Sequence, residues 1–114
     1  MTGDAPFSIS KAAMPESAER RREYRPTVEH RLKSWPQFFE RILSGEKTHE
    51  LRRGDRDFLV GDILRLQEFD PCKNQYTGRE CSVLITYITS TERPCALSQD
   101  ALHPDYCILS IKQL

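Results

Sequence analysis

The sequence predicts a small α+β domain in which a short helix precedes a curled or closed, mainly antiparallel β-sheet. The chain has 114 residues, the length of one domain with one core. One well-marked amphipathic helix near residue 36 comes before most of the strands instead of alternating with them, which is typical of α+β domains. The last strand pattern, residues 106–111, is apolar on both faces and is therefore expected inside the sheet.

The helix is predicted to begin at Pro36, because the N–H that proline lacks is not needed in the first turn. Ser34 is the expected cap just upstream. Gly45 is expected to end the helix in the left-handed conformation. The apolar face of this helix is predicted to consist of Phe38, Phe39, Ile42 and Leu43.

Turn formers separate the strand patterns and predict an antiparallel hairpin around the polar loop at residues 70–78. Val83, Ile85 and Tyr87 are expected to share one face of the strand that follows this loop. The segment 91–104 is predicted to be irregular, since its prolines exclude a central strand. The predicted strands are residues 63–69, 79–89 and 106–111, and residues 29–35 are predicted to form a short strand and a turn.

Residues 1–28 are predicted to be a flexible tail, and residues 29–114 the folded domain. The tail is rich in Ala, Ser, Pro and charged residues, so that it lacks the apolar surface needed to offset the entropy of ordering. The sequence of residues 17–24 is compatible with a short helix. The basic cluster at residues 20–25 either contacts RNA or is a solvated linker, and the composition favours the linker.

The composition excludes several functional classes. Lys and Arg total 17 and so do Asp and Glu, so bulk electrostatic binding to nucleic acid is not expected and any such contact must be local. No apolar run reaches the roughly 20 residues that span a bilayer, and the N-terminus does not resemble a secretory signal. A cytoplasmic protein is predicted. The four cysteines contain no C-x-x-C pair and are expected to be free thiols, without a metal site or cofactor.

The segment 45–57 concentrates ionisable residues of both signs between the helix and the next strand. If it forms a strand, Glu50 and Arg52 share one face. Lys47 then lies either at a bend or in the turn before that strand. Residues 53–57 are predicted to form a tight turn in which Gly54 supplies a positive φ and the aspartates accept backbone N–H bonds.

Six motifs of this sequence together resemble a known family. They are His30-x-Leu32-Lys33-x-Trp35-Pro36-x-x-Phe39, Gly45-x-Lys47-x-x-Glu50-x-Arg52, Asp55-Arg56-Asp57-Phe58-x-Val60-Gly61-Asp62, Glu68-Phe69-Asp70-Pro71, Tyr76-Thr77-Gly78-Arg79 and Ile108-Leu109-Ser110-Ile111. They resemble a small bacterial and phage-type branch of the ASCH domains, in the PUA-like superfamily. The resemblance implies a small β-barrel with a helix near its mouth, and a cleft beside that helix that binds RNA or modified nucleosides.

Two functions are compatible with these residues. The first is an RNA-binding or nucleoside-binding module, favoured because residues 31–53 hold six Lys or Arg against three Glu. The structural alternative is that Glu50 only forms ion pairs with Lys47 or Arg52, and that Trp35 is a hydrophobic staple rather than a stacking surface. The predicted nucleic-acid-binding residues are Lys47, Glu50, Arg52, Arg53, Lys33, Trp35 and Arg79, with Tyr76 as a further contact and His30 on the strand that lines the cleft.

The second function is a small amidohydrolase. Some ASCH proteins remove an acetyl group from acetylcytidine and are marked by Gly-x-Lys-x-x-Thr-x-Arg. Gly45, Lys47 and Arg52 match this mark, but Glu50 stands where the threonine is expected. Under this alternative Lys47 and Glu50 would be the catalytic pair. The departure at Glu50 favours the binding function, and a monomer is expected.

Overall fold

The protein is described by a computed structural model, in which residues 25–114 are placed. The predicted tail therefore lies outside the described residues except for its last four positions. Within residues 25–114 the elements are β1 (Glu29–Ser34), α1 (Pro36–Leu43), β2 (His49–Arg53), β3 (Ile63–Asp70), β4 (Gln75–Thr89), α2 (Ser98–Ala101) and β5 (Tyr106–Gln113).

The described strands form one curled sheet of order β1-β3-β4-β5-β2, a half-barrel. β1 pairs with β3 in parallel, and the other three pairings are antiparallel, which confirms a small α+β domain with a mainly antiparallel sheet. β5 lies between β4 and β2, as its two apolar faces predicted. The edge strands β1 and β2 face each other across the gap between the two edges of the sheet, which we call the open side. Arg52 Nη2 donates to the carbonyl oxygen of Lys33 across this gap at 2.7 Å.

The core lies on the concave face of the sheet, where α1 packs against β3. Period-2 alternation places every second residue of a strand on this face. Because α1 contributes to the core at one end of the sheet, its first turn also forms part of the open side. The fully buried apolar side chains are Phe39, Ile42, Leu64, Leu66, Val83, Ile85 and Leu109.

The helix α1 confirms the predicted start at Pro36 and the glycine stop, with a φ of 84° at Gly45. The predicted cap is wrong. Trp35 occupies the N-cap position without a side-chain cap bond, whereas Ser34 is the last residue of β1 and points into the interior. Of the predicted apolar face, only two members are buried, since Phe38 and Leu43 remain exposed.

Two strand predictions need correction. β4 begins at Gln75, so the loop is shorter than predicted, because cross-strand pairing between Phe69 and Tyr76 continues the hairpin. Tyr87 does not share a face with Val83 and Ile85. The register shifts between Ile85 and Tyr87, so that one extra β4 residue opposes β5 and Tyr87 points outward while Ile88 becomes buried.

The turn after β2 also differs from the prediction, since Gly54 has no positive φ. Its N–H donates to the carbonyl oxygen of Asp105 at 2.7 Å, and a Cβ at this position would meet that oxygen at 3.6 Å. A side chain would therefore fit at this position, and the contact between the two loops does not depend on glycine. A positive φ occurs instead at Gly61, in the predicted turn before β3.

All four cysteines are free, as predicted. Within residues 25–114, no helix has the length and apolar character needed to cross a membrane.

Candidate functional site

A cleft of about 470 Å³ lies between the start of α1, the end of β1 and the strand β2. Both edge strands of the half-barrel contribute to it, and α1 covers one side. It is lined by Lys33, Ser34, Trp35, Phe38, Lys47, Glu50, Leu51 and Arg52. Five of the seven predicted nucleic-acid-binding residues are thus brought together: Lys33, Trp35, Lys47, Glu50 and Arg52.

A charged cluster forms the floor of this cleft. Glu50 is only 5% exposed, and its Oε1 accepts from Arg52 Nε at 2.9 Å and lies 2.7 Å from Arg52 Nη2. Lys47 Nζ is 3.6 Å from Glu50 Oε2 and donates to the carbonyl oxygen of His49. Lys47 precedes β2, which begins at His49, so it lies in the turn before the strand. Two cations surround one carboxylate, and the cluster keeps a net positive charge.

The walls of the cleft are apolar and accessible. The rings of Trp35 and Phe38 are stacked, with centroids 6.3 Å apart and an angle of 23° between their planes. Trp35 is 48% exposed, and Phe38 and Leu51 are exposed as well. Trp35 does contact α1, as a staple would, but about half of its surface remains available to a ligand.

Ser34 also lines the cleft, although it was not among the predicted binding residues. It is 4% exposed, and its Oγ has no hydrogen-bond partner within the described residues although it borders the cleft. A buried hydroxyl without a partner is costly, which marks it as a group that a ligand can satisfy. Period-2 alternation along β1 could have indicated this position, because Ser34 falls on the same inward face as His30 and Leu32.

Arg79 does not line the cleft. Its Nε donates to Glu68 Oε1 at 2.9 Å and its Nη2 donates to Glu68 Oε2 at 3.0 Å, and it also pairs with Glu40. Glu68 is buried, and hydrogen bonds from Arg79 and then from Thr77 hold the pKa of this carboxyl below its usual range. The same carboxylates raise the pKa of Arg79. This network fastens the β3–β4 hairpin to α1.

Arg53 also lies outside the cleft, because neighbouring residues of a strand point to opposite faces. Its Nη2 donates to the hydroxyl of Tyr106 at 2.8 Å, and its guanidinium lies 4.9 Å from the centroid of that ring. The structure thus gives Arg53 an intramolecular contact, and its predicted binding role stays a prediction.

His30 lies at the far end of β1, in a buried network around Asp62. Asp62 is fully buried and accepts hydrogen bonds from His30 Nε2 at 2.9 Å, from Arg25 Nη2 at 2.9 Å, and from the backbone N–H groups of Val28 and Leu59. Burial opposes the charge of Asp62, but these bonds outweigh it and hold the pKa of the carboxyl below its usual value. The network joins residues 25–30 to the turn before β3.

The Cys81 thiol lies close enough to the cleft to feel the charge of Glu50. Burial raises the pKa of the Cys81 thiol, and the charge of Glu50 raises it further, so this thiol is a poor nucleophile. Among residues 25–114, no group of three His, Cys, Asp or Glu side chains is arranged to hold a metal ion. The cleft therefore combines aromatic surface, one buried hydroxyl and a charged floor.

Comparisons with known proteins place the chain in a family. The chain is 35% identical over 60 residues to a protein of Escherichia phage P2, named as an uncharacterized 12.9 kDa protein in the GpA 3′ region. That match covers 53% of this chain and 53% of the phage protein, so the similarity spans about half of each. Residues 29–111 match the family described as Domain of unknown function (DUF3850), and this range includes every element of the half-barrel except the last residues of β5. The chain belongs to this DUF3850 family.

Proposed function

We propose that the cleft beside α1 binds RNA or a modified nucleoside, with one base held against Trp35 and Phe38. The observation that carries this proposal is the pairing of an accessible aromatic wall with a buried, unpartnered Ser34 hydroxyl. An unpaired base offers a flat π-face to an aromatic side chain and a polar edge to donors and acceptors. The wall and the hydroxyl match these two features.

The charges of the floor support a ligand that carries phosphate. Arg52 and Lys47 both line the cleft, and among residues 25–114 Glu50 is the carboxylate that pairs with them. Arg52 is held in place by Glu50 and by the carbonyl of Lys33, so little side-chain freedom is lost when it binds an anion. The Gly45-x-Lys47 motif and the resemblance to ASCH domains support the same assignment, and with it a PUA-like classification of the half-barrel.

The geometry favours binding over amide hydrolysis. A lysine that acts as a nucleophile must present a free amine. The amino group of Lys47 instead donates to the carbonyl oxygen of His49 and lies 3.6 Å from Glu50 Oε2, so it is already engaged by two protein groups. Glu50 is likewise engaged by Arg52. An assay for acetyl release from acetylcytidine is expected to show no turnover, and turnover that disappears in Lys47→Ala would replace the binding proposal by the hydrolase.

The proposal is tested by titrating the full chain with nucleosides, nucleotides and short RNAs, followed by NMR and by fluorescence. Trp35 is the single tryptophan of the chain, so a base stacked on it should change the emission directly. Lys47→Ala and Arg52→Ala are each expected to weaken binding of a nucleoside monophosphate about tenfold or more, since each removes a charge-assisted contact of about 1.5–3 kcal/mol.

The matched controls are Lys112→Ala and Arg56→Ala, which remove exposed cations outside the lining of the cleft. Both should bind like the parent protein. RNA binding that depends on salt but is unchanged by Lys47→Ala and Arg52→Ala would reject the cleft as the site.

A further inference from the structure

A second aromatic surface lies on the β3–β4 hairpin, where it is contacted by Lys33, a residue of the cleft lining. Phe69 and Tyr76 are opposite each other across the hairpin, and their rings meet edge to face with centroids 5.1 Å apart. Tyr76 is 51% exposed, so much of its ring is open to solvent. Packing within the hairpin therefore accounts for only part of the surface of this ring.

Lys33 connects this aromatic pair to the cleft. Lys33 is one of the residues that line the cleft, and its backbone carbonyl accepts the hydrogen bond from Arg52. Its ammonium lies 4.2 Å from the ring centroid of Phe69 and 5.8 Å from that of Tyr76. No carboxylate among residues 25–114 lies within ion-pair distance of this ammonium, so its charge is balanced by no anion in that part of the chain.

We propose that Tyr76 stacks the base next to the one in the cleft, and that Lys33 contacts the phosphate between these two bases. The inference rests on the proposed function and names its ligand class, a single-stranded nucleic acid of at least two nucleotides. The Trp35–Phe38 wall and the Phe69–Tyr76 pair are two aromatic surfaces, and Lys33, which lines the cleft and contacts the second surface, has no carboxylate partner among residues 25–114. A single strand offers base, phosphate and base in this order. A paired duplex keeps its bases stacked on one another and cannot present them in this way.

The contact of Lys33 with the Phe69–Tyr76 pair would also favour phosphate binding. A lysine held over a ring by cation–π attraction keeps its ammonium close to the protein surface instead of extending into solvent. A phosphate bound there would contact a cation whose position is already restricted, which lowers the entropy lost on binding. Arg79 is excluded from this role by its two carboxylate partners, Glu68 and Glu40.

The experiment compares a mononucleotide with a trinucleotide, in RNA and DNA forms, and with a duplex of related sequence. The trinucleotide is expected to bind the parent protein at least about fivefold more tightly than the mononucleotide, the gain from stacking one additional base. Tyr76→Ala and Tyr76→Leu should lose this gain while mononucleotide affinity changes less than about twofold. Tyr76→Leu keeps an apolar side chain against Phe69 but has no π-face, so it separates stacking from loss of the fold.

Tyr87→Leu is the matched control, because Tyr87 is equally exposed but points outward from β4 beyond the bulge. It should keep the full gain. Lys33→Gln should reduce the slope of log affinity against log salt for the trinucleotide by about 0.7, the value for one phosphate contact on a single strand.

The outcomes distinguish this inference from the proposed function. If mononucleotides bind in the cleft but longer strands gain nothing, or if Tyr76→Leu keeps the gain, the second subsite is rejected and the cleft proposal stands. A duplex that binds as tightly as the single strand also rejects it. If neither mononucleotide nor trinucleotide changes the Trp35 emission or the NMR spectrum, both proposals fail. Equal binding of the RNA and DNA forms would support stacking and phosphate contact without a role for the 2′-hydroxyl.

Discussion

Replacing Arg52 with alanine should destabilise the protein, because this side chain joins the two edges of the half-barrel. Arg52 is on β2, and it donates both to Glu50 on its own strand and to the carbonyl of Lys33 on β1. Without it, the open side loses its direct bridge, and Glu50 keeps Lys47 at 3.6 Å as its remaining charged partner.

The size of the effect follows from burial. Removing one partner of a buried ion pair costs about 3–5 kcal/mol, because the other charge remains buried without compensation. Arg52 is partly accessible, with 24% of its side chain exposed, and Lys47 still faces Glu50, so part of this cost is screened. We expect a loss of about 2 kcal/mol in the free energy of unfolding. A small domain has about 5–15 kcal/mol available, so the variant should remain folded.

Urea unfolding followed by Trp35 emission measures this loss, with the m-value as a check on two-state behaviour. Arg53→Ala is the matched control, since the neighbouring arginine contacts only the Tyr106 hydroxyl and ring in the described structure and should change stability by less than about 1 kcal/mol. The double variant Arg52→Ala with Glu50→Gln should recover part of the loss, because the buried charge is then gone. A loss below about 0.5 kcal/mol for Arg52→Ala, or one equal to that of Arg53→Ala, would refute the bridging role.

Three other side chains give separate predictions. The pKa of Asp62 is lowered in the folded state, so the stability that its charge contributes should be complete above the ordinary pKa of 3.8 and should fall as the pH drops below that value. The Asp62→Asn variant should be less stable than the parent at pH 7, and its stability in acid-unfolding curves should depend less on pH. Arg79→Met should raise the pKa of Glu68 in an NMR titration and lower the midpoint of urea unfolding at pH 7, because Glu68 and Glu40 lose their shared partner. An unchanged midpoint would contradict a stabilising role for this network. Gly45→Ala should lower the free energy of unfolding by about 1 kcal/mol in thermal unfolding, because a Cβ is disfavoured at a φ of 84° even though no atom lies within 4 Å of its position. A loss near zero would show that the end of the helix relaxes to another conformation.

The local elements were largely predictable from sequence. Pro36 and Gly45 mark the ends of α1, and the alternation around Leu64 and Leu66 marks β3, because these signals depend on neighbouring residues alone. The failures have specific causes. Ser34 was expected to cap the helix from its residue type, but it pairs with β3 as the last residue of β1 and lies on the buried face, so Trp35 takes the N-cap position. Tyr87 was assigned the wrong face because a bulge depends on the register with β5.

The sequence alone determined which residues carry charge and where α1 and most of the strands lie. It left open whether residues 49–53 form a strand, on which the shared face of Glu50 and Arg52 depends, and it missed α2 in a segment predicted to be irregular. Only the tertiary structure decided which of the candidate residues meet. Curling of the sheet brings the edge strands β1 and β2 together and unites Lys33, Trp35 and Lys47 with the Glu50–Arg52 pair. The same packing assigns Arg79 to an ion-pair network, because the hairpin folds against α1. Residues far apart in sequence become neighbours through long-range strand pairing, and this pairing is set by the whole core rather than by any local pattern.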